Sequence, residues 1–202
     1  MGWTGPTVVG GLAAAGYRIS TSGAPERQGI VQRLDVGTSG LMVVAKSERA
    51  YTVLKQAFRD RVVDKTYHAL VQGLPDPHEG TIDAPIGRHP GHDYRFAVMT
   101  SGRPSITTTS CSRRTGGRAC CRSTWRRDAR TRSGCTSPRC ATPAAATSPT
   151  APTPTLARDL RLERQWLHAV KLGFLHPGSG EQVEFESPYP EDLGGALDVV
   201  RG

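Results

Sequence analysis

The chain lacks any apolar run long enough to cross a membrane, since a spanning helix needs about 20 apolar residues in succession. The first six residues also lack the basic stretch followed by an apolar stretch that opens a secretory signal. We therefore expect a cytoplasmic protein with no membrane partner. The length of 202 residues predicts one ordinary domain.

Residues 107–153 form a segment of unusual composition. It has no Leu, Ile, Val, Phe, Tyr, Met, Lys, Glu, Gln, Asn or His, yet it holds all five cysteines, nine arginines and one acid, Asp128. Its charge of +8 equals the net charge of the chain, because the other residues comprise 17 basic and 17 acidic ones. Without apolar periodicity the segment cannot bury one face, so its composition predicts irregular or disordered structure.

Two functions are open to such a segment as it stands. A basic arm would neutralise RNA phosphates, although arms of this kind usually contain lysine and aromatic residues, and this one has only Trp125. A zinc or disulfide site would use the cysteines. No C-x-x-C pair or nearby histidine supports zinc, and a cytosolic chain argues against disulfides.

A polar loop lies at residues 32–40, which read QRLDVGTSG. The apolar run at 41–45 predicts a buried strand after it, and Ile30 and Val31 suggest a second strand before it. Rigid flanks fix the geometry of a loop and suit it to chemistry. Taken alone, Arg-x-Asp in a glycine-containing loop is also typical of an ordinary turn with an Asx hydrogen bond.

The sequence RLDVGTSG resembles the catalytic motif of the RluA-type pseudouridine synthases. These enzymes convert particular uridines of ribosomal or transfer RNA into pseudouridine. The resemblance implies that Asp35 is the catalytic carboxylate and that Arg33 helps to hold a flipped-out nucleotide. It also places Thr38 and Ser39 in the loop that meets the RNA. Gln32 departs from the family, which usually has histidine at that position.

A second motif follows at Lys65-Thr66-Tyr67, which opens an alternating strand pattern. The family has Lys-x-Tyr at the start of such a strand, so the resemblance implies that Tyr67 lies against the target base and that Lys65 contacts RNA. A strand tyrosine that merely packs on its neighbours is the other interpretation. Further similarity at 166–169, 172–177 and 187–190 extends the resemblance over about residues 1–106 and 154–202.

Residues 107–153 admit a third interpretation in the light of this resemblance. Permitted codons for residues 124–153, read from the third base of each codon, can encode LETGRTHQIRVHFSALRHPCCGDLTYGAD, which joins Pro154 without a gap. GRxHQIR and GDxxYG are the next two motifs of the family. We therefore hypothesise a compensated double frameshift between about Thr107 and Pro154. In the family, the GRxHQIR strand supplies an arginine that pairs with the catalytic aspartate, and no residue here can be assigned that role.

The coarse pattern predicts an α+β fold with a mixed, mainly antiparallel sheet flanked by helices, which is also the fold that the resemblance implies. Helices are expected at residues 4–15, 47–61, 156–162 and 192–200, and strands at 65–72, 81–86, 95–99, 166–174 and 182–186. Residues 73–77 are expected to form a turn. Residues 87–93, with His89 and His92, are expected to form a solvated loop rather than a metal site.

These patterns predict a single, partial pseudouridine synthase catalytic domain over residues 1–202, whose opening strand would precede Met1. The expected function is isomerisation of uridine in structured RNA, most plainly ribosomal RNA, by a monomer that uses no metal and no other cofactor. Two other functions stay open. One is a catalytically impaired RNA-binding remnant of such an enzyme, and the other is an interaction protein stabilised by zinc or disulfides.

Overall fold

The structure is a computed structural model that describes residues 5–72, 78–89, 92–102, 106–115, 118–125 and 158–201. Within these ranges, side chains are described except at 72, 88–89, 92–97, 111–115, 118–125 and 201. The chain divides into two compact units. Unit 1 consists of Met1–Arg33, Met42–Val63 and Phe174–Val183, and unit 2 of Leu34–Leu41, Asp64–Gly173 and Glu184–Gly202.

In its described part, unit 1 contains two α-helices, α1 (Val8–Ala14) and α2 (Glu48–Asp60), and a short 3₁₀ helix at Pro25–Arg27. Ser47 caps α2 by accepting a hydrogen bond from the backbone N–H of Ala50, and Arg61 ends it with a φ of 65°. Leu54 and Phe58 on one face of α2 are buried, as the helical spacing of apolar residues predicts. The prediction of a helix between residues 47 and 61 is therefore confirmed.

The main sheet contains the strands β1 (Ser39–Gly40), β2 (Asp64–Gln72), β3 (Glu79–Asp83), β6 (Ile106–Thr115), β7 (Arg118–Trp125), β8 (Leu167–Leu175) and β9 (Gln182–Glu186). Their order is β1-β8-β2-β7-β6-β3, and β9 also pairs with β8. The β1–β8 pairing is parallel, and the pairings of β2 with β7 and β8, of β3 with β6 and of β6 with β7 are antiparallel. The sheet is thus mixed and mainly antiparallel, as expected.

The core of unit 2 lies between this sheet and the last helix, α3 (Glu191–Arg201). Trp166 is fully buried, and its indole N–H donates to the carbonyl of Leu193 at 2.8 Å. Leu193 and Leu197 of α3 pack with it in one cluster, joined by Leu70 of β2. This packing fixes the start of α3 against the residues that lead into β8. Before Trp166, the predicted helix at 156–162 is described only from Arg158. Residues 158–159 are helical, and a turn follows that ends at Arg161 with a φ of 52°.

The prediction of a strand at residues 41–45 is wrong. Strand β1 ends at Gly40, and the following residues make single backbone contacts instead of a ladder. Ala45 donates to the carbonyl of Gly29 at 2.9 Å, and Ile30 forms an isolated antiparallel bridge with Val44. The apolar run is half-buried or buried as expected, but burial alone does not require continuous pairing with a neighbouring strand.

The loop predicted at 87–93 is also wrong. Strands β4 (Ile86–His89) and β5 (His92–Val98) pair antiparallel in a separate two-stranded sheet. Histidine, proline and glycine in this stretch favoured a loop, but His89 and His92 pair with each other across the two strands. Pro90 and Gly91 lie outside the described residues. The turn predicted at 73–77 lies outside the described residues.

The irregular structure predicted for 107–153 is wrong for 107–115 and 118–125, which belong to β6 and β7. Apolar periodicity detects a buried side-chain face, whereas a strand also forms when both of its edges find backbone partners. Here β7 pairs with β2, and β6 pairs with both β7 and β3. The β-branched residues Thr107, Thr108 and Thr109 also favour a strand. Residues 126–153 lie outside the described residues.

Candidate active site

The residue proposed as catalytic, Asp35, opens a tight turn. The backbone N–H of Thr38 donates to the carbonyl of Asp35 at 2.9 Å. Gly37 has a φ of 83° whereas Val36 has a negative φ, which is the combination of a type II turn. Asp35 is half-buried, and Val36 at the tip is 82% exposed. The turn thus presents the carboxyl-bearing residue at an open edge of unit 2.

Strand β1 places this turn beside β8, and a glycine allows the close approach of the two backbones. Gly40 has a φ of 112°, and a Cβ atom built on it would lie 2.3 Å from the carbonyl oxygen of Ala169. The next residue, Leu41, donates its N–H to that same carbonyl at 3.0 Å. Only glycine allows this approach of two backbones, since a side chain would require both a disfavoured φ and a severe overlap.

The aromatic residue expected at the site, Tyr67, lies in the same part of the sheet. Both Gly40 of β1 and Tyr67 of β2 pair with Ala169 of β8. Residues directly opposite one another in paired strands place their side chains on one face. Gly40 and Tyr67 are therefore about 10 Å apart on the same face, two strand spacings across β8.

Packing gives a second link between the turn and Tyr67. The tyrosine is 7% exposed and belongs to a cluster with Ala69, Leu167 and Ala169. Leu34, the residue immediately before Asp35, packs against this cluster. The structure therefore brings the peptide carrying Asp35 next to the group of residues that surrounds Tyr67.

Two consecutive residues just before β8 hold the turn from its other side. Arg164 donates from Nη1 to the carbonyl of Gly37 at 2.9 Å and to the Ser39 hydroxyl at 3.0 Å. Gln165 donates from Nε2 to the Thr38 hydroxyl at 2.6 Å and to the carbonyl of Val36 at 3.4 Å. The two hydroxyls expected to meet RNA are thus engaged inside the protein.

His168 continues the network below the turn. Its side chain is buried, with Nδ1 2.8 Å from the Ser39 hydroxyl and Nε2 3.4 Å from the carbonyl of Ser187. Because a carbonyl only accepts, Nε2 carries the proton and Nδ1 accepts from Ser39. Burial lowers the pKa of His168 below its usual value, and the nearby Arg164 charge adds to this effect. The histidine therefore belongs to the network in its neutral form.

The other predicted residues are placed differently. Arg33 is exposed, two residues before Asp35 in the chain. Lys65 is 7% exposed, which argues against direct contact with an RNA phosphate, because a buried lysine needs a partner in the protein. Among the described residues, none donates a hydrogen bond to the Asp35 carboxylate or forms an ion pair with it. In the same part of the chain, no group of three His, Cys, Asp or Glu side chains could hold a metal ion.

Only weak signals in the sequence point to Arg164, Gln165 and His168. His168 is a polar residue within the apolar strand pattern at 166–174, where a buried partner is to be expected. Arg164 and Gln165 stand directly before that strand. Nothing local shows that they reach a turn more than 120 positions earlier in the chain.

The fold is that of solved pseudouridylate synthase domains. Human RNA Pseudouridylate Synthase Domain Containing 4 matches with a TM-score of 0.70 and 19% identity, covering 96% of this chain and 81% of that chain. Human RNA Pseudouridylate Synthase Domain Containing 1 matches with a TM-score of 0.64 and 24% identity, covering 83% and 72%. These likenesses establish the class of fold.

Sequence comparison establishes the family. The family model for RNA pseudouridylate synthase matches residues 15–134, so this chain belongs to the RNA pseudouridylate synthase family. An uncharacterized RNA pseudouridine synthase of Mycobacterium tuberculosis (strain CDC 1551) is 55% identical, over 100% of this chain and 66% of the relative. Ribosomal large subunit pseudouridine synthase D of Nitrosomonas europaea is 38% identical, over 87% and 52%. The chain thus spans between half and two thirds of these relatives.

The residues matched by the family model extend beyond the ranges over which the motifs indicate the resemblance. It continues past residue 107 to residue 134 and so includes β6 and β7. In the part of the chain that the structure describes, no helix combines the length and apolar character that crossing a bilayer requires.

The seating of β1 predicts a strong effect of Gly40→Ala. The added methyl would meet the Ala169 backbone at a φ of 112°, so we expect the free energy of unfolding to fall by about 3 kcal/mol or more. Gly180→Ala is a matched control, because Gly180 has a φ of 75° with nothing within 4 Å of its Cβ position, and should cost about 1–2 kcal/mol. Equal losses in urea denaturation would contradict the close approach.

The buried neutral histidine predicts a dependence of stability on pH. Between the lowered pKa of folded His168 and the ordinary value of 6.5, the unfolded chain binds a proton that the folded chain does not. This contribution is therefore fully present above pH 6.5 and is lost as the pH falls below it. We expect His168→Asn, whose Oδ1 can still accept from Ser39, to reduce the slope of unfolding free energy against pH.

This slope is measured by urea denaturation at a series of pH values between about 7.5 and about 5, the range in which histidine titrates. The same substitution at His176, which is exposed, is the matched control. A slope that is identical in the wild-type chain and in His168→Asn would show that His168 does not titrate differently on unfolding.

Proposed function

We propose that this protein isomerises specific uridines of structured RNA to pseudouridine, with ribosomal RNA as the substrate. Membership of the RNA pseudouridylate synthase family supports the reaction. The name of the Nitrosomonas europaea relative, which refers to the large ribosomal subunit, supports the choice of RNA. The observation that carries the proposal is the type II turn that opens with Asp35 and sits beside the Tyr67 cluster.

In this proposal Asp35 acts on the bond between the ribose and N1 of uracil. That bond breaks, the freed base rotates, and a bond from the ribose to C5 forms in its place, after which the C5 proton is lost and N1 is protonated. Reactant and product have the same atoms and the same oxidation state, so the reaction requires no redox cofactor. A carboxylate held at a fixed position relative to the developing charge on the sugar suits this chemistry.

Tyr67 and Arg33 would handle the extruded nucleotide. Removing a base from its stack costs a few kcal/mol, which contacts in the site must offset. An aromatic ring that faces the base offers stacking worth about 1–3 kcal/mol. Arg33, which is exposed near the turn in the chain, can pair with a phosphate or occupy the place that the base has left.

Affinity for RNA would depend on charge outside the site as well. Residues 107–153, with nine arginines and one aspartate, carry a charge of +8, equal to the net charge of the chain, and would attract phosphates without reading sequence. The proposal includes RNA binding by a monomer in the cytoplasm, where such an RNA is made and modified.

The proposed role of Asp35 predicts that Asp35→Asn abolishes turnover. Uridine labelled with tritium at C5 releases its label when the new bond forms, and we expect release by the variant to fall by at least about 10³-fold, as when an essential catalytic group is removed. Asp83→Asn, which changes an exposed carboxylate on β3, is the matched control and should keep the wild-type rate. Equal release from the wild-type chain and Asp35→Asn would contradict the proposal.

The second candidate function is a catalytically impaired remnant that binds RNA without turnover. It is favoured by the composition of residues 107–153, from which codons in a shifted frame can restore both missing family motifs. It is also consistent with the described surroundings of Asp35, among which no arginine pairs with its carboxylate. A buried or half-buried carboxylate without such a partner loses charge stabilisation and orientation.

The frame hypothesis predicts that a chain carrying the alternative reading of 107–153 releases tritium faster than the present chain, because it regains the arginine partner of Asp35. Sequencing of the gene over this segment decides whether the alternative codons exist. Codons that cannot encode GRxHQIR in the shifted frame would end the hypothesis. Equal release from the two chains would show that the segment does not limit activity.

A further inference from the structure

We propose that Arg164 is a positioning residue for the reaction, which holds the Asp35 turn in its reactive geometry by linking it to the first turn of α3. This inference rests on the proposed function, because it assigns to Arg164 an effect on catalysis by Asp35. Arg164 is not among the motif residues that the sequence singles out, and its guanidinium contacts the turn rather than the place expected for the substrate.

The geometry of the guanidinium supports this role. Its Nε and Nη2 donate to the two carboxylate oxygens of Asp192, at 2.6 and 2.8 Å, in a bidentate pair. Its remaining nitrogen, Nη1, donates to both the Gly37 carbonyl and the Ser39 hydroxyl. All three nitrogens of one planar group are thus occupied, and the plane that Asp192 fixes also fixes the direction of Nη1.

The anchor behind Arg164 is rigid. Asp192 lies in the first turn of α3, and the next residue, Leu193, is fully buried. The carbonyl of Leu193 accepts from the indole of Trp166, two residues after Arg164. The ion pair therefore joins two segments that the core already holds together, so little additional ordering is required to form it. Arg164 lowers the pKa of Asp192 by hydrogen bonding, which keeps the carboxylate charged.

The turn needs such support because few contacts within the turn itself stabilise it. Val36 at its tip is 82% exposed, and one backbone hydrogen bond closes it, from Thr38 to Asp35. Arg164 holds the Gly37 carbonyl, so it restrains the peptide at the centre of the turn. Asp35 is the first residue of the same turn, and rotation of this peptide would move its carboxyl group.

The hydroxyl of Ser39 transmits the restraint further. It accepts from Arg164 and can donate only to Nδ1 of His168, whose other nitrogen donates to Ser187. The direction of every hydrogen bond in this series is therefore set by the permanent donor, Arg164. Without the arginine, the hydroxyl of Ser39 could rotate, and β1 would lose one of the contacts that seat it on β8.

Arg164→Lys is the decisive variant. A lysine ammonium can pair with Asp192, but it has no second arm at a fixed angle to reach the turn. We therefore expect wild-type thermal stability together with a kcat that is about 10–100-fold lower, since a displacement of about 1 Å in a catalytic group can cost 10²-fold. KM should change by less than threefold (about 0.6 kcal/mol), because Arg164 does not touch the RNA.

Two further variants accompany it. Asp192→Asn keeps the shape of the anchor but not its charge, and should lower kcat in the same direction. Arg158→Ala removes another arginine near the start of the same segment, at an exposed position, and should match the wild-type chain. Hydrogen exchange of peptides covering residues 35–41, measured on the free protein, provides a reading that does not depend on turnover. Exchange should accelerate at least about tenfold in Arg164→Lys and remain unchanged in Arg158→Ala.

The outcomes separate this inference from the proposed function. If the wild-type chain releases tritium, and Arg164→Lys shows unchanged kcat and unchanged hydrogen exchange, the inference is overturned and the proposed function is retained. A raised KM with unchanged kcat would overturn it in favour of direct RNA contact by Arg164. If the wild-type chain releases no tritium, the proposed function fails for this chain. Hydrogen exchange then still decides whether Arg164 restrains the turn, and unchanged exchange would overturn that part as well.

Discussion

The close contact between the backbone of Gly40 and that of Ala169 is the constraint on which the candidate site depends. It brings a two-residue strand against β8 in a parallel pairing, although the chain separates these segments by more than 120 residues. A parallel pairing over two residues makes few hydrogen bonds and has little stability alone. It persists because glycine removes the side chain that would hold the strands apart and because polar groups on the neighbouring turn find partners next to β8.

The turn is specified by contributions of different physical kinds. Gly37 supplies the positive φ that a type II turn requires, and this contribution is local. Arg164 and Gln165 supply hydrogen bonds to the carbonyls and hydroxyls of residues 36–39, and this contribution is tertiary. Leu34 supplies apolar packing against the cluster around Tyr67. The three act on adjacent residues, so that the position of Asp35 follows from backbone conformation, polar contacts and burial together.

Sequence reasoning succeeded where the deciding physics is local or strongly periodic. The spacing of Leu54 and Phe58 and the capping by Ser47 predicted α2, and the alternating pattern after Lys65 predicted β2. It failed where backbone pairing alone decides. Residues 107–115 and 118–125 have no apolar periodicity, but β6 pairs with β3 and β7, and β7 pairs with β2 and β6. Within the predicted histidine-containing loop at 87–93, the described residues pair with each other as parts of β4 and β5. At the site, the catalytic role of Asp35 stays a prediction of the motif, and so does RNA contact by Thr38 and Ser39, whose hydroxyls accept hydrogen bonds from Gln165 and Arg164 in the structure.

The sequence by itself determined the family, the α+β class and the residues of the turn, because those depend on residue types at fixed spacing along the chain. Only the tertiary structure decided that Arg164 would face the turn, that His168 would be buried as a neutral ring, and that Lys65 would lie inside. Those outcomes depend on which strands become neighbours, and the free energy of that choice is distributed over contacts between residues far apart in the chain.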